Sequence, residues 1–254
     1  MANKRLILER TAHAIRKQDW FAVAIEFTLV VAGVLLAFQI NEWANEREER
    51  QERSAATIRL LDEAEETVAY FRAGVQAQQQ LVNDLDYALR AVDGRRWQDA
   101  DRARITRGLS QVNVTVPPAP PSSIYDDLVA SGRIGSIGDT ELRTSIANYW
   151  STLRFYQRFT DYIRQSMPAF EDFRALKYRY RNDNLQRMSL SVDLPALAGD
   201  ELLQEKLAIT ARWQNISLGF RKRLLAQAVT MCSELARMAE RPCKVPERAS
   251  VLGP

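Results

Sequence analysis

Between Asp19 and Glu42 lie 22 residues with one ionisable side chain, Glu26. The runs Trp20 to Ile25 and Phe27 to Phe38 are apolar apart from Thr28. At about 1.5 Å per residue this length spans roughly 33 Å, enough for a hydrocarbon core of about 30 Å. Trp20 and Trp43 bracket it where an aromatic belt lies. A core helix of a soluble protein is the alternative. A cleaved signal peptide fits poorly, because the apolar run is long and no small-x-small site follows it.

Beyond Trp43 the pattern changes. Glu42 to Arg53 is charged on all sides, as in a solvated stalk or coiled-coil neck. Then Ile58, Leu61, Val68, Phe71, Val75, Val82, Leu85, Leu89 and Val92 recur at threes, fours and sevens, the period of a helix with one buried stripe. From Trp43 no glycine occurs before Gly74 and no proline before Pro117. The membrane helix is therefore expected to continue as a stalk to about Val92, with Gly94 as its left-handed cap. A shorter helix follows around Trp97 to Val112.

Pro117-Pro118-Ala119-Pro120-Pro121 reads as a polyproline connector, with a proline-rich recognition motif as the alternative. Ser122 or Ser123 caps a helix through Val129 that stops at Ser131-Gly132. Gly132, Gly135 and Gly138 lack the spacing and the lysine of a phosphate loop, so they read as a turn, with Asp139 capping the next helix. Thr140 to Arg181 is expected to be a second long helix, kinked or split at Pro168. Asn182 to Gly199 reads as a loop. A third long helix runs from Glu201 to about Ala239, with Leu202, Ile209, Trp213, Ile216, Phe220, Leu224, Met231, Leu235 and Met238 on one face, and Arg241-Pro242 stops it. The fold class expected is all-α: an N-terminal transmembrane helix continuing into a long stalk helix, with an exported antiparallel helical bundle. The organisation expected is an arm over 1–19, a membrane helix over 20–43, a bundle over 44–240 and a tail over 241–254.

Composition agrees with this reading. Ten glycines and nine prolines in 254 residues favour long helices over a turn-rich β fold. The mean hydropathy of −0.32 averages a lipid-facing segment with a highly charged body. The net charge of +3 does not by itself imply a nucleic-acid partner. Orientation follows from the flanks: five cations against two acids precede the span, and four arginines against nine acids, a net −5, occupy Glu42 to Glu66. The arm is expected in the cytoplasm and the bundle outside, in the periplasm, with the span in the inner membrane.

Three groups of residues are candidates for function. Glu26 sits within the span, where a carboxylate costs about 2.5–3.5 kcal/mol at the centre and less near an interface. It is either protonated or snorkelling, or part of a helix–helix contact together with Gly33 and Gln39. Tyr149, Tyr156, Arg154 and Arg158 belong to a stretch holding ten of the 22 aromatics, interleaved with arginines. That mixture is either bundle core or a groove for an anionic or peptide-like ligand or a protein partner. Cys232 and Cys243 are the only cysteines, too few for a metal site. They read as a disulfide pinning the tail if the domain is exported, with two buried thiols as the alternative.

The run Glu26-Phe-Thr-Leu-Val-Val-Ala-Gly33-Val-Leu-Leu-Ala-Phe-Gln39-Ile-Asn41-Glu-Trp43 resembles the signature of a bacterial family of uncharacterised single-pass membrane proteins. Ile124 to Gly132, Asp139 to Leu142 and Tyr149-Trp150 are similar to a second segment of such proteins. Phe38 and Ala44 depart from that pattern. The resemblance implies an anchor and this architecture, and no activity.

The single histidine, His13, lies in the arm, so the bundle holds none of the Ser–His or Cys–His pairs of nucleophilic catalysis. The acid pairs Glu65/Glu66 and Asp126/Asp127 are adjacent and point to different helix faces. No enzyme activity and no cofactor are expected. The expected partners are the lipid bilayer and either a second copy or another membrane protein, with no nucleic acid. The reading is a membrane-anchored structural or protein-interaction component of the bacterial cell envelope. The alternative is a periplasmic ligand-binding or sensory domain signalling through the stalk, against which stands an arm of only about 19 residues.

Overall fold

A computed structural model of the chain describes residues 20–110, 112, 115–166, 176–181 and 184–246. The chain divides into two compact units, Met1–Ser54 and Ala55–Pro254. In the first, the described residues form the start of α1, Trp20–Asp93. Its apolar window is long enough to cross a membrane, and none of it is buried against protein.

The second unit contains the rest of α1, then α2 (Arg102–Ser110), α3 (Ser123–Ala130), α4 (Thr140–Ser166), a two-stranded hairpin β1 (Leu176–Arg181) and β2 (Asn184–Val192), α5 (Leu194–Gly199) and α6 (Glu201–Met238). Helices dominate the described residues, as the all-α reading expects. Two cores form along α1. In the first, Leu60, Leu61, Val68 and Phe71 meet Leu142, Tyr149, Leu153 and Tyr156 of α4 and Leu224, Met231 and Leu235 of α6. In the second, Leu85, Ala88 and Val92 meet Ile105 and Leu109 of α2, Leu194 and Leu197 of α5, and Leu203 and Leu207 of α6. Between them lies a polar layer: Gln78 Nε2 donates to Gln214 Oε1 at 2.8 Å, and Gln214 Nε2 donates to the Val112 carbonyl at 2.9 Å. An amide buried this way needs its partners.

Several boundaries differ from the sequence expectation. The second long helix ends at Ser166, well short of Arg181. Leu176–Arg181 instead pairs antiparallel with Asn184–Val192, Tyr178 opposite Leu190, with an irregularity between Tyr180 and Arg181. Lys177-Tyr178-Arg179-Tyr180-Arg181 alternates with period two, which suits a strand. Pro168 lies outside the described residues. The loop expected over 182–199 holds β2 and α5, the latter capped by Asp193 accepting from the Ala196 N–H at 3.1 Å, with Pro195 in its first turn. The stretch around Trp97 to Val112 is a 3₁₀ turn, Asp99–Asp101, leading into α2.

At the end of α1 the left-handed residue is Arg95 (φ 49°), one position after Gly94. The Arg96 N–H reaches the Ala91 carbonyl at 2.9 Å and Arg95 N–H the Val92 carbonyl at 3.1 Å, the Schellman pattern. That geometry needs a positive φ at its penultimate residue. The buried stripes are also rotated: Ile58, Leu202, Ile209 and Met238 are exposed, and alanines such as Ala56, Ala64 and Ala228 take core positions.

The N-terminus of α3 is closed from another helix. Ser122 Oγ turns to the Asp126 carboxylate, so it does not cap the backbone. Glu63 of α1 does so instead, its carboxylate accepting from the Ile124 N–H at 2.6 Å and the Tyr125 N–H at 3.1 Å. This satisfies two orphan donors and sets an anion at the positive end of the helix. Glu63 is 8% exposed, so the carboxylate depends on those donors as much as they on it. Glu63→Ala is expected to cost about 1–3 kcal/mol, and Glu63→Gln less, since its amide oxygen still accepts. Urea denaturation followed by circular dichroism checks both.

Candidate functional site

Three regions carry the chemistry that the sequence singles out: the apolar segment of α1, the α4–α6 pair, and the C-terminal tail.

In the apolar segment Glu26, Gly33 and Gln39 are all exposed. On a helix turning about 100° per residue, Gly33 stands about 20° from Glu26, whereas Gln39 stands about 140° away. Gln39 therefore leaves the stripe on which the sequence placed it. Ala37 and Ala44 replace it, at about 20° and 0° from Glu26. A Cβ added to Gly33 meets nothing within 4 Å. The small-xxx-small pair Gly33/Ala37 was readable from its four-residue spacing. Thr28 spends its hydroxyl on the Ala24 carbonyl at 2.7 Å.

The four candidate groove residues of α4 divide between two faces. Tyr149 and Tyr156 are fully buried in the first core, where Tyr156 stacks on Phe220 with centroids 5.0 Å apart. Burial pushes the Tyr149 phenol well above its usual range. Arg154 and Arg158 are exposed. The tyrosines thus belong to the core, because positions 149 and 156 fall seven apart on the face turned to α1 and α6. The surface aromatics next to the arginines are Phe155, Phe159, Trp213 and Phe220, in mutual contact at centroid distances of 5.4–6.1 Å. Further along the same helix pair an open cleft of about 670 Å³ is lined by Thr144, Ser145 and Asn148 of α4 and Gln227, Thr230 and Glu234 of α6.

A charged clasp that the sequence reading missed joins α2 to α1. Asp84, 5% exposed, accepts from Arg104 Nε at 3.0 Å and Arg107 Nε at 2.8 Å. Gly108 makes the clasp possible, since a Cβ there would lie 2.6 Å from the Asp84 carbonyl oxygen. The Arg104 guanidinium also stands 4.1 Å over the Tyr87 ring, whose hydroxyl donates to Asp101 at 2.6 Å. Burial alone raises the Asp84 carboxyl, and the hydrogen bonds and charges of Arg107 and Arg104 outweigh it, leaving it below its ordinary value. Only the spacing Asp84-x19-Arg104-x2-Arg107 hinted at this, and it is uninformative without the helix reversal.

Cys232 and Cys243 are joined by a disulfide with Cα atoms 5.9 Å apart. The tail it holds is also tied to α1: Arg241 donates to Asp62 at 2.6 Å and to Glu65 at 3.1 Å, and the Lys244 N–H donates to Glu65 at 2.8 Å. Glu65 thus has partners, whereas adjacent acids alone read as solvated charges. Among the described residues no group of three or more His, Cys, Asp or Glu is placed to hold a metal ion. His13 lies outside the described residues. Comparison with protein families, curated proteins and solved structures finds no match.

Two outcomes follow. The Asp84 carboxyl is depressed in the folded state, so its contribution is complete above the unfolded carboxylate pKa near 3.9 and is lost as pH falls through the lower folded value. Asp84→Asn is therefore expected to lower stability at pH 7 by about 1–2 kcal/mol and to matter less at pH 2–3, read by urea titration at both pH values. Reduction of Cys232–Cys243 is expected to add two hydrogens by intact mass and to cost about 2–3 kcal/mol of stability.

Proposed function

We propose that this chain is a single-pass membrane-anchored helical-bundle protein, a structural or protein-interaction component of the bacterial cell envelope. Its N-terminus is cytoplasmic, its span lies in the inner membrane and its bundle is periplasmic. The observation that carries the reading is the α1 segment itself: an apolar helix with none of its surface covered by protein, which water would not tolerate and lipid does. The flanking charges support the direction. The disulfide supports an oxidising compartment for the bundle. The resemblance of Glu26 to Trp43 to uncharacterised single-pass proteins points the same way. The bundle is read as binding partners, with neither catalysis nor a cofactor.

The first partner on this reading is a second copy in the bilayer. Glu26, Gly33, Ala37 and Ala44 share one stripe of α1, where small residues admit a neighbouring backbone and a carboxyl in hydrocarbon gains from a polar neighbour. A sensory role is the second reading, favoured by the absence of any break in α1 from Trp20 to Asp93.

In intact cells an impermeant maleimide is expected to label Ser54→Cys and not Ala2→Cys, both in a Cys232→Ser, Cys243→Ser background. The reverse labelling overturns the direction. Oxidative crosslinking of Ala44→Cys in the same background is expected to trap a covalent dimer in membranes, and Gly33→Leu to lower its yield at least fivefold. Monomers alone remove self-association through this stripe.

A further inference from the structure

The α4–α6 pair bears an uneven charge. From Leu142 to Thr160 of α4 and from Lys206 to Ser233 of α6 there are eight cations and no aspartate or glutamate, the acids of the two helices (Glu141, Asp161, Glu201, Glu205 and Glu234) standing nearer their ends. Three of them, Arg158, Arg212 and Arg223, are exposed beside the α4–α6 contact and have no ion pair or side-chain hydrogen bond among the described residues, whereas Arg154 stands about 140° from Phe159 and faces away from it. Elsewhere in the second unit several arginines lie against acids: Arg133 with Asp127, Arg164 with Asp161, Arg237 with Asp139, and Arg241 with Asp62. The carboxylates are missing where the surface is also apolar. Phe155 is 51% exposed and Ile209 46%, and Phe159, Trp213 and Phe220 are half-buried between them.

These side chains line one seam. On α4 the positions 145, 148, 152, 155, 159 and 162 follow one another at threes and fours, and on α6 so do 209, 213, 216, 220, 223 and 227, the two sets meeting antiparallel at Phe155–Phe220 and Phe159–Trp213. The cleft lined by Ser145, Asn148 and Gln227 continues the seam, and Glu141 and Glu234 close its far end. At about 1.5 Å per residue, 145 to 162 gives a track of roughly 25 Å. That is the shape a further helix takes when it lays an apolar face between two others.

We propose that the outer seam of α4 and α6 is the docking site for an acidic amphipathic helix of a partner protein. Its apolar anchors cover Phe155, Phe159, Trp213 and Phe220, and its carboxylates pair with Arg158, Arg212 and Arg223. A second copy presenting the same face sets arginine against arginine, a like-charge contact that opposes binding. A neutral apolar partner leaves three guanidinium groups at the rim without a carboxylate. This inference deepens the interaction-protein reading. It is independent of self-association through Gly33, so either can fail without the other.

The test uses the full chain in its native membrane, with a benzophenone photocrosslinking side chain at position 155 and, as control, at Val229, exposed on another face of α6. The expected result is a discrete protein adduct at least tenfold stronger from 155 than from 229. Sequencing of the crosslinked peptide places the attachment in an amphipathic, carboxylate-bearing segment. Arg158→Glu with Arg223→Glu lowers the yield at least tenfold, while the melting curve of the purified protein stays unchanged. An adduct to a second copy or to lipid overturns the proposal. So does a yield equal to the control, or one indifferent to the charge reversal.

Discussion

The face of α1 between Ala56 and Val92 is the wall against which the rest of the second unit is built. Both cores lean on it, the first through Leu60 to Phe71 and the second through Leu85 to Val92. Its alanines let neighbouring helices come close, and Phe71 and the leucines fill the space that remains. A stripe so continuous leaves the register of α6 open to slippage by one turn. The Gln78–Gln214 pair between the two cores removes that freedom, because a shifted register strands a buried amide.

The same wall supplies polar service to elements that cannot provide their own. Glu63 closes α3, Asp84 grips α2, and Asp62 with Glu65 holds the tail. Each carboxylate sits beside the apolar stripe and takes donors from a different part of the chain. One helix thus both fills the cores and ends the elements around them. The middle of α4 and α6, from Leu142 to Thr160 and from Lys206 to Ser233, is the converse, with cations and no carboxylate of its own.

Much of this was legible in residue patterns. The long apolar run, the end of α1 at Asp93, the proline connector and the Asp139 cap all follow from local rules, and local rules act through neighbours in sequence. What escaped was decided at a distance. Glu63 looks like one acid among many until α3 arrives 61 residues later. The core positions of α6 are shared among Leu203, Gln214 and Ala228, and a hydrophobicity count passes over a glutamine. Tyr149 and Tyr156 look like ligand contacts because tyrosine suits both a core and a surface, and only packing separates the two. The hairpin carried a signal, the alternation from Lys177 to Arg181, which the longer helical pattern before it masked.

The closure of the tail on α1 bears on the order of events in synthesis. Arg241 and Lys244 are made 179 residues after the acids that receive them, Asp62 and Glu65. At ribosomal speeds of about 5–20 residues per second, that separation is a wait of roughly 10–40 s. For most of it, until translation passes Glu201, the stripe on α1 is present while α6, which covers much of it, is still unmade. Contacts of such long range fold slowly. The nascent stripe between Ala56 and Val92 is thus an apolar surface left incompletely covered until α6 is made, and a holding chaperone has most reason to engage the chain there.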